Sequence, residues 1–253
     1  KTIAITVAVL VVVIICGAFA LGVAALSKGV EKTADVVQQK VDREKIESKV
    51  PFDTQAWNEA FSADAVCELK ISNSIGDVTI RETDTQEIRV RASNINDCSS
   101  VKLKDDKLVV DCCAMEIQLF GIHVGEKVEN SVGVVIEIPK GTRFESVQVE
   151  NSIGNITISG ISADEIELSN GPGNMDCQDI AGERIEVESG IGNVSLHVRG
   201  SMNDYDMKLS PGIGNIYIDG IKQSEINHTN READNTLRVE SGVGTVNMFF
   251  SEK

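Results

Sequence analysis

From residue 66 onward, apolar and polar residues alternate in short runs that are separated by glycine-containing turns. In one such unit, residues 185–196, two alternating runs flank the turn Gly190-Ile191-Gly192-Asn193. A period of two is typical of half-buried β-strands, and closely spaced glycines are typical of a tight turn. The unit therefore predicts two short strands joined at a corner.

The same unit recurs along the chain, with its second glycine at positions 76, 154, 173, 192, 214 and 244. The last five are spaced by 19, 19, 22 and 30 residues, whereas the first gap of 78 residues would hold about four such units. A unit of this size cannot bury its own apolar face and must stack on its neighbours. We therefore expect an all-β solenoid of 19–22-residue coils over residues 66–253, with Val187 stacked between Leu168 and Leu209.

Each turn residue has a predicted mechanical role. Glycine permits positive φ and close approach of backbones, and the Ile or Val between two glycines is expected to plug the core. The Asn that follows can bond to the backbone of the next coil, and an aligned Asn column adds bonds along the stack. The predicted structural turn residues are Gly76, Asp77, Gly154, Asn155, Gly173, Asn174, Gly192, Asn193, Gly214, Asn215 and Gly244.

Residues 3–26 form an uncharged run of 24 residues. As a helix this run would reach about 36 Å, enough to cross a bilayer with some tilt. We expect a retained transmembrane signal anchor over residues 1–26. Two alternatives are a cleaved signal peptide, for which Ala18-Phe19-Ala20 offers a small-x-small site, and a lipoprotein signal ending at Cys16, which the bulky Ile15 disfavours.

The orientation of this segment is harder to predict. Lys1 precedes the run and six basic residues follow it before residue 50, which under the positive-inside rule would place the body in the cytoplasm. However, those six residues are spread along a mixed-charge segment, and the sequence does not begin with Met. We therefore still expect a single-pass cell-membrane protein whose repeat domain is extracytoplasmic.

Residues 27–65 are predicted to form a juxtamembrane helical linker and cap. Residues 27–50 combine mixed charges with a narrow apolar seam, which indicates a solvent-facing helix that ends at Pro51. Trp57 and Phe61 then lie four residues apart. This spacing predicts a short amphipathic helix that covers the open first coil.

The net charge is −15 and aromatic residues make up 4% of the chain, so the protein is acidic and rich in small aliphatic side chains. Nucleic acids and anionic lipid surfaces are bound by clustered Lys and Arg. The charge balance therefore argues against both as partners.

The six cysteines contain no spaced pair that could hold zinc or act as a redox motif. A hairpin that turns at residues 105–106 would pair Leu103 with Leu108 and would set Cys98 opposite Cys113. In an oxidising compartment these two could form a disulfide, and in a reducing one they would stay free thiols.

The glycine-rich turns are a poor match to an ion site. Calcium needs several oxygen ligands, usually carboxylates, and Asp77 is the one acid in the aligned Asn column. A phosphate site would need a helix N-terminus after the glycines, whereas a strand is predicted there. The sequence thus predicts no metal and no cofactor.

Catalytic chemistry has little support in the pattern. His123, His197 and His228 occur in unlike contexts, and no Ser or Cys has an identifiable base partner. Carbohydrate-cleaving β-helix enzymes gather acids on one face, whereas the acids of these repeats are not expected to fall at matched positions. We therefore expect a non-enzymatic protein without catalytic residues.

Residues 134–161 read Val-Val-Ile-Glu-Ile-Pro-Lys-Gly-Thr, then Val-Gln-Val-Glu-Asn-Ser-Ile-Gly-Asn-Ile-Thr-Ile and Ser-Gly-Ile. This stretch resembles the bacterial putative-adhesin domain of unknown function, which is grouped with toast-rack-like envelope domains. The resemblance extends over residues 66–250 and implies a right-handed single-stranded β-helix outside a bacterial cell, often behind one membrane helix. It also implies links to envelope-stress membrane systems, and it carries no established active site.

These features predict a membrane-anchored, extracytoplasmic interaction module of adhesin type, with a protein or a cell-surface glycan as its partner. A strand face, or the irregular segments 121–131 and 222–235, would provide the contact surface. The alternative is a component of an envelope-stress sensing complex that contacts a partner membrane protein.

Overall fold

The computed structural model describes residues 55–95, 98–113, 133–223, 226–228, 230 and 232–251. These residues form fifteen β-strands and two short 3-10 helices, Ala63–Ala65 and Met202–Asp204. The predicted all-β fold class is thereby confirmed. The strands are β1 (Gln55–Ser62), β2 (Glu68–Asn73), β3 (Val78–Thr83), β4 (Glu87–Ile95), β5 (Ser100–Lys104), β6 (Lys107–Cys112), β7 (Gly133–Pro139), β8 (Arg143–Asn151), β9 (Ile156–Pro172), β10 (Met175–Ile191), β11 (Val194–Arg199), β12 (Tyr205–Ile218), β13 (Ile221–Gln223), β14 (Ile226–His228) and β15 (Asn235–Ser251).

The strands stack in layers, and each layer has two arms that are joined at a glycine corner. Val147 of β8 pairs in parallel with Ile166 of β9, which pairs with Ile185 of β10. We call this ladder of first arms face 1, and the ladder of second arms, which includes β3 and β11, face 2. Alternate side chains from both faces point inward and form one aliphatic core.

The coil of Gly76 lies directly beside the coil of Gly154. β2 pairs with β8, and β3 pairs with β9. The intervening chain folds onto the other side, where β6 pairs with β2 and β7 pairs with β3. β4 and β5 then add in antiparallel orientation. The expectation of four coils in this gap is therefore wrong, because much of the segment forms antiparallel strands.

The last two coils stack in the reverse of their order along the chain. β15 pairs with β10 and β11 on one side and with β12 on the other, so Val239 lies between Val187 and Leu209. The expected direct stacking of Val187 on Leu209 is therefore wrong. The physical reason is that the inward-facing residues of β12 and β15 follow the same apolar–polar alternation, so either strand presents a matching edge to β10. The outer edge of β12 is covered by the three-residue strands β13 and β14.

Residues 55–62 form strand β1 and not the helix predicted from Trp57 and Phe61. Residues four apart share a face in a helix, but they also share a face in a strand. The spacing of Trp57 and Phe61 therefore does not distinguish a helix from a strand. β1 pairs antiparallel with β4, with Trp57 opposite Ala92 and Phe61 opposite Ile88. Both aromatic side chains pack against the core.

Within the part of the chain that the structure describes, no helix combines the length and the apolar composition of a membrane span. The anchor predicted over residues 1–26 and the helix predicted over residues 27–50 lie outside the described residues. His123 and the segment 121–131 also lie outside them.

Candidate interaction surface

At five of the six corners, the second glycine lies where no side chain could fit. Gly192 has a φ of +148°, and a Cβ there would lie 1.9 Å from the carbonyl oxygen of Gly173. The N–H of Gly173 donates to the carbonyl oxygen of Ile191 at 2.8 Å. Neighbouring corners are thus hydrogen-bonded at a separation that requires glycine. The same close approach to the next layer occurs at Gly154, Gly173, Gly214 and Gly244.

The residue that precedes the second glycine of the corner faces solvent. Ile153 is 50% exposed, Ile191 42% and Ile213 75%, so the expectation that these residues plug the core is wrong. Ser189 and Val194 are the inward-facing residues on either side of one corner. The convex bend between them leaves the intermediate side chains outside.

These outward residues lie in consecutive layers, because Ile191 pairs with Pro172 on one side and with Val243 on the other. Adjacent strands are about 4.8 Å apart, so six layers form a row about 24 Å long. We call this row the corner stripe. In its order along the stack it comprises Ile75, Ile153, Pro172, Ile191, Val243 and Ile213.

Two rows of small or polar residues flank the corner stripe, and Asp77 is the one charged residue in either row. The row before the stripe comprises Ser74, Ser152, Gly171, Gly190, Gly242 and Gly212. The row after it, one position beyond the second glycines, comprises Asp77, Asn155, Asn174, Asn193, Thr245 and Asn215.

Side chains of the second flanking row link one layer to the next. The Oδ1 atom of Asn155 accepts from the N–H of Asn174 at 3.0 Å, and that of Asn174 accepts from Asn193 at 2.9 Å. Asp77 accepts from the N–H of Asn155 at 2.8 Å, and Asn193 accepts from Thr245 at 3.0 Å. These side-chain oxygens therefore accept hydrogen bonds that join neighbouring layers of the stack.

A second polar row, which the sequence reasoning missed, is buried under the corners. Asn73 donates through Nδ2 to Oδ1 of Asn151 at 3.0 Å, and Asn151 donates to Oδ1 of Asn170 at 3.1 Å. Ser189 and Ser241 continue the row in the next two layers, and all five residues are buried. The signal was available, because Asn or Ser recurs three positions before the second glycine.

The β5–β6 hairpin has the predicted register, with Leu103 opposite Leu108. A disulfide joins Cys98 to Cys113 at the base of this hairpin, with the Cα atoms 6.0 Å apart. The N–H of Cys113 also donates to Oγ of Ser99 at 3.2 Å. Disulfides of this kind persist in oxidising compartments.

The family model of Toastrack DUF4097 matches residues 66–253. The chain belongs to this family. The crystal structure of a putative cell adhesion protein from Clostridium sporogenes is similar to the Toastrack chain, with a TM-score of 0.56 and 15% identity over 79% of this chain and 100% of that chain. This similarity shows the fold of the Toastrack domain.

Two structures of putative adhesins are also similar to the Toastrack chain. The one from Bacteroides fragilis has 12% identity and a TM-score of 0.31, covering 77% of this chain and 97% of its own. The one from Parabacteroides distasonis has 13% identity and a TM-score of 0.28, covering 78% and 98%. Among curated proteins, none matches the chain significantly.

The outer side of face 1 of the Toastrack domain carries more acids than bases, and two of its acids are ion-paired, Glu165 with Arg184 and Glu186 with Arg238. Glu167 pairs with Glu186, and Glu188 pairs with Glu240, so the expectation that acids do not fall at matched positions is wrong for these two pairs. Burial, together with the charges of Glu240 and Glu186, raises the pKa of Glu188. Among the described residues, no group of His, Cys, Asp or Glu has the arrangement of a metal site.

The outer side of face 2 of the Toastrack domain carries an ion-pair cluster and an aromatic pair. The carboxylate of Glu137 lies 2.6 Å from a guanidinium nitrogen of Arg81 and 2.9 Å from one of Arg91. The hydrogen bond from Arg81, helped by the charge of Arg91, lowers the pKa of Glu137. The ring of His197 stacks on Phe249 with the centroids 4.6 Å apart. Both groups connect neighbouring strands.

Proposed function

We propose that the protein is a membrane-anchored, extracytoplasmic interaction module of adhesive type, and that its contact surface is the corner stripe. The observation that carries this proposal is the exposure of Ile153, Pro172, Ile191, Val243 and Ile213 in five consecutive layers of the stack, with Ile75 half-buried at one end. Single exposed apolar residues are common on any protein surface, but contiguous exposed apolar patches mark interaction sites. The proposed activity is binding, without catalysis.

The backbone under the stripe supports this proposal. Each corner is hydrogen-bonded to the next layer, as between Gly192 and Val243 at 2.9 Å, and is tied again by the flanking Asn row. Side chains that project from an ordered backbone lose little backbone entropy when a partner binds. The stripe is therefore preorganised for contact.

Three observations support an extracytoplasmic and adhesive role. The disulfide between Cys98 and Cys113 suits an oxidising compartment. The uncharged run over residues 3–26 has the length of a membrane anchor. The similar protein from Clostridium sporogenes is named a putative cell adhesion protein, which agrees with this role.

The test is the full chain expressed in bacterial cells, with adhesion of those cells to one another and to a panel of matrix proteins and glycans as the measurement. We expect the double variant I153E/I191E to lose adhesion. The control variant E188Q/E240Q, on face 1, should retain it. Shaving of intact cells with protease should remove the repeat domain, and full protection of that domain would exclude the proposal.

The same variants address the envelope-stress alternative. If I153E/I191E adheres normally but fails to induce an envelope-stress reporter, the stripe serves a signalling complex instead. Unchanged adhesion and unchanged reporter activity would mean that the corner stripe has neither role.

A further inference from the structure

We propose that the corner stripe binds the corner stripe of a second copy of this chain, with the two stripes antiparallel about a twofold axis. This inference rests on the proposed function and names the partner. It makes the adhesive contact homophilic.

The distribution of charge favours a second copy of the chain as the partner that binds the corner stripe. The chain carries a net charge of −15, and the outer side of face 1 presents Glu188 beside Glu240, so two copies repel each other across that face. The corner stripe and its flanking rows contain one charged residue, Asp77, at one end. The stripe is therefore a surface on which two acidic copies can meet, whereas a basic partner would be drawn to face 1.

The spacing of the stripe also fits a second copy. Its side chains repeat at the strand spacing of about 4.8 Å, and a second copy presents the same period. An antiparallel arrangement centred on the middle of the stripe places Ile75 opposite Ile213, Ile153 opposite Val243 and Pro172 opposite Ile191. Such an interface is isologous, as in most symmetric dimers.

The flank of the stripe provides room for this approach. Glycine occupies the position before the stripe in four consecutive layers, at Gly171, Gly190, Gly242 and Gly212. A Cβ at Gly171, Gly242 or Gly212 would lie 2.1–2.4 Å from a carbonyl oxygen of the neighbouring layer, so this flank of the stripe is formed by backbone alone. In the antiparallel arrangement, the aliphatic residues of one copy lie along this side-chain-free flank of the other.

The size of the stripe predicts a weak contact. A surface about 24 Å long and one corner wide is well below the roughly 800 Å² per partner of a stable complex. A weak homophilic contact becomes effective when many copies are held at one surface, because tethering raises their effective concentration. Self-association should therefore be detected on membranes more readily than in dilute solution.

Cysteine cross-linking of the full chain in its membrane tests the arrangement. Ile191 lies next to the proposed axis, so the two copies of I191C should oxidise to a covalent dimer. Ile213 lies at the end of the stripe, about 24 Å from its own copy in this arrangement, so I213C should not. E240C, an exposed residue of β15 on face 1, is the matched control, and the unsubstituted chain gives the background.

We expect I191C to yield a dimer band several-fold stronger than E240C, and the added substitution V243E to abolish it. Equal yields from I191C and E240C would overturn the homophilic contact. Strong dimers from I213C would overturn the antiparallel arrangement. If cross-linking fails while I153E/I191E still abolishes adhesion, the stripe binds a different partner, and the proposed function stands without self-association.

Discussion

The guanidinium of Arg238 lies 3.5 Å from the carboxylate of Glu186, although 52 residues separate them in the sequence. The contact exists because β15 is inserted between β10 and β12. β15, the last strand in the described part of the chain, is therefore an inner layer of the stack. The coil of β12, which precedes it in sequence, is attached to the stack through β15.

The order of the layers predicts which strands lose hydrogen-exchange protection when a core residue of β15 or β12 is truncated. Leu237 of β15 and Leu209 of β12 are both buried, and truncating a buried Leu to Ala costs about 2–5 kcal/mol. L237A should reduce hydrogen-exchange protection in both β15 and β12, because β12 loses its supporting layer. L209A should reduce protection in β12 while β15 stays protected. The opposite result would mean that the coils stack in sequence order.

The order of the layers could not be predicted from the sequence. Ile185 and Val187 pair with Leu237 and Val239, but the same alternation would pair equally well with Met207 and Leu209. Parallel strands with one repeated pattern are interchangeable at the level of hydrophobicity. The coils with a 19-residue period were predictable because each is connected directly to the next, and an inserted strand leaves no such local signal.

Alanine substitutions at the two glycines of one corner should differ sharply in their effect on stability. A Cβ at Gly192 would lie 1.9 Å from the carbonyl oxygen of Gly173 at a φ of +148°, whereas a Cβ at Gly190 would lie 3.3 Å from that of Gly171. G192A should therefore destabilise the fold by more than about 3 kcal/mol, and G190A by about 1 kcal/mol or less. Urea denaturation of both variants measures the difference. Equal losses would show that the close approach of layers does not require glycine.

The exposed position of Ile191 marks a second limit of sequence reasoning. Alternation predicts which residues face inward along a strand, but at a convex corner several consecutive residues can face outward. The second glycine and the following Asn were interpretable because their chemistry is tied to a tight turn. The Ile between them has no such requirement, and its direction depends on the curvature of the backbone.

The disulfide predicts a stability that depends on redox conditions. Cys98 and Cys113 are 15 residues apart, and closing a loop of this length contributes about 3 kcal/mol. Reductant should lower the thermal midpoint of the protein. The variant C98S/C113S should have the lowered thermal midpoint even without reductant, and added reductant should not lower it further. A wild-type midpoint that is insensitive to reductant would contradict this prediction.

The remaining buried thiols should behave differently from the disulfide pair. Burial raises the pKa of Cys112 and of Cys177 to about 12, so both stay protonated near neutral pH. Alkylation of the folded protein at pH 8, followed by mass spectrometry, should leave both unmodified, and unfolding in urea should expose them. Rapid labelling of either in the folded state would mean that its layer opens readily.

Replacing Glu188 or Glu137 by Gln should change the stability of the fold in opposite directions. The raised pKa of Glu188 means that its ionised form is disfavoured in the fold, chiefly by burial and by the facing Glu240. Because Glu188 is exposed and solvent screens the repulsion, E188Q should stabilise the protein at pH 7 by only about 0.3 kcal/mol. This gain in stability should disappear below about pH 4.3, the pKa of a Glu side chain in the unfolded chain, because Glu188 is then protonated in both the folded and the unfolded state.

Glu137 should show the opposite behaviour. The hydrogen bond from Arg81 lowers its pKa, so its contribution is present above the unfolded pKa of about 4.3 and is lost as pH falls through the folded value. E137Q should cost about 1 kcal/mol at pH 7, because both arginines are half-exposed and solvent screens the pairs. Thermal midpoints of both variants between pH 3 and pH 7 provide the measurement. Differences from wild type that do not vary with pH would mean that neither effect arises from ionisation.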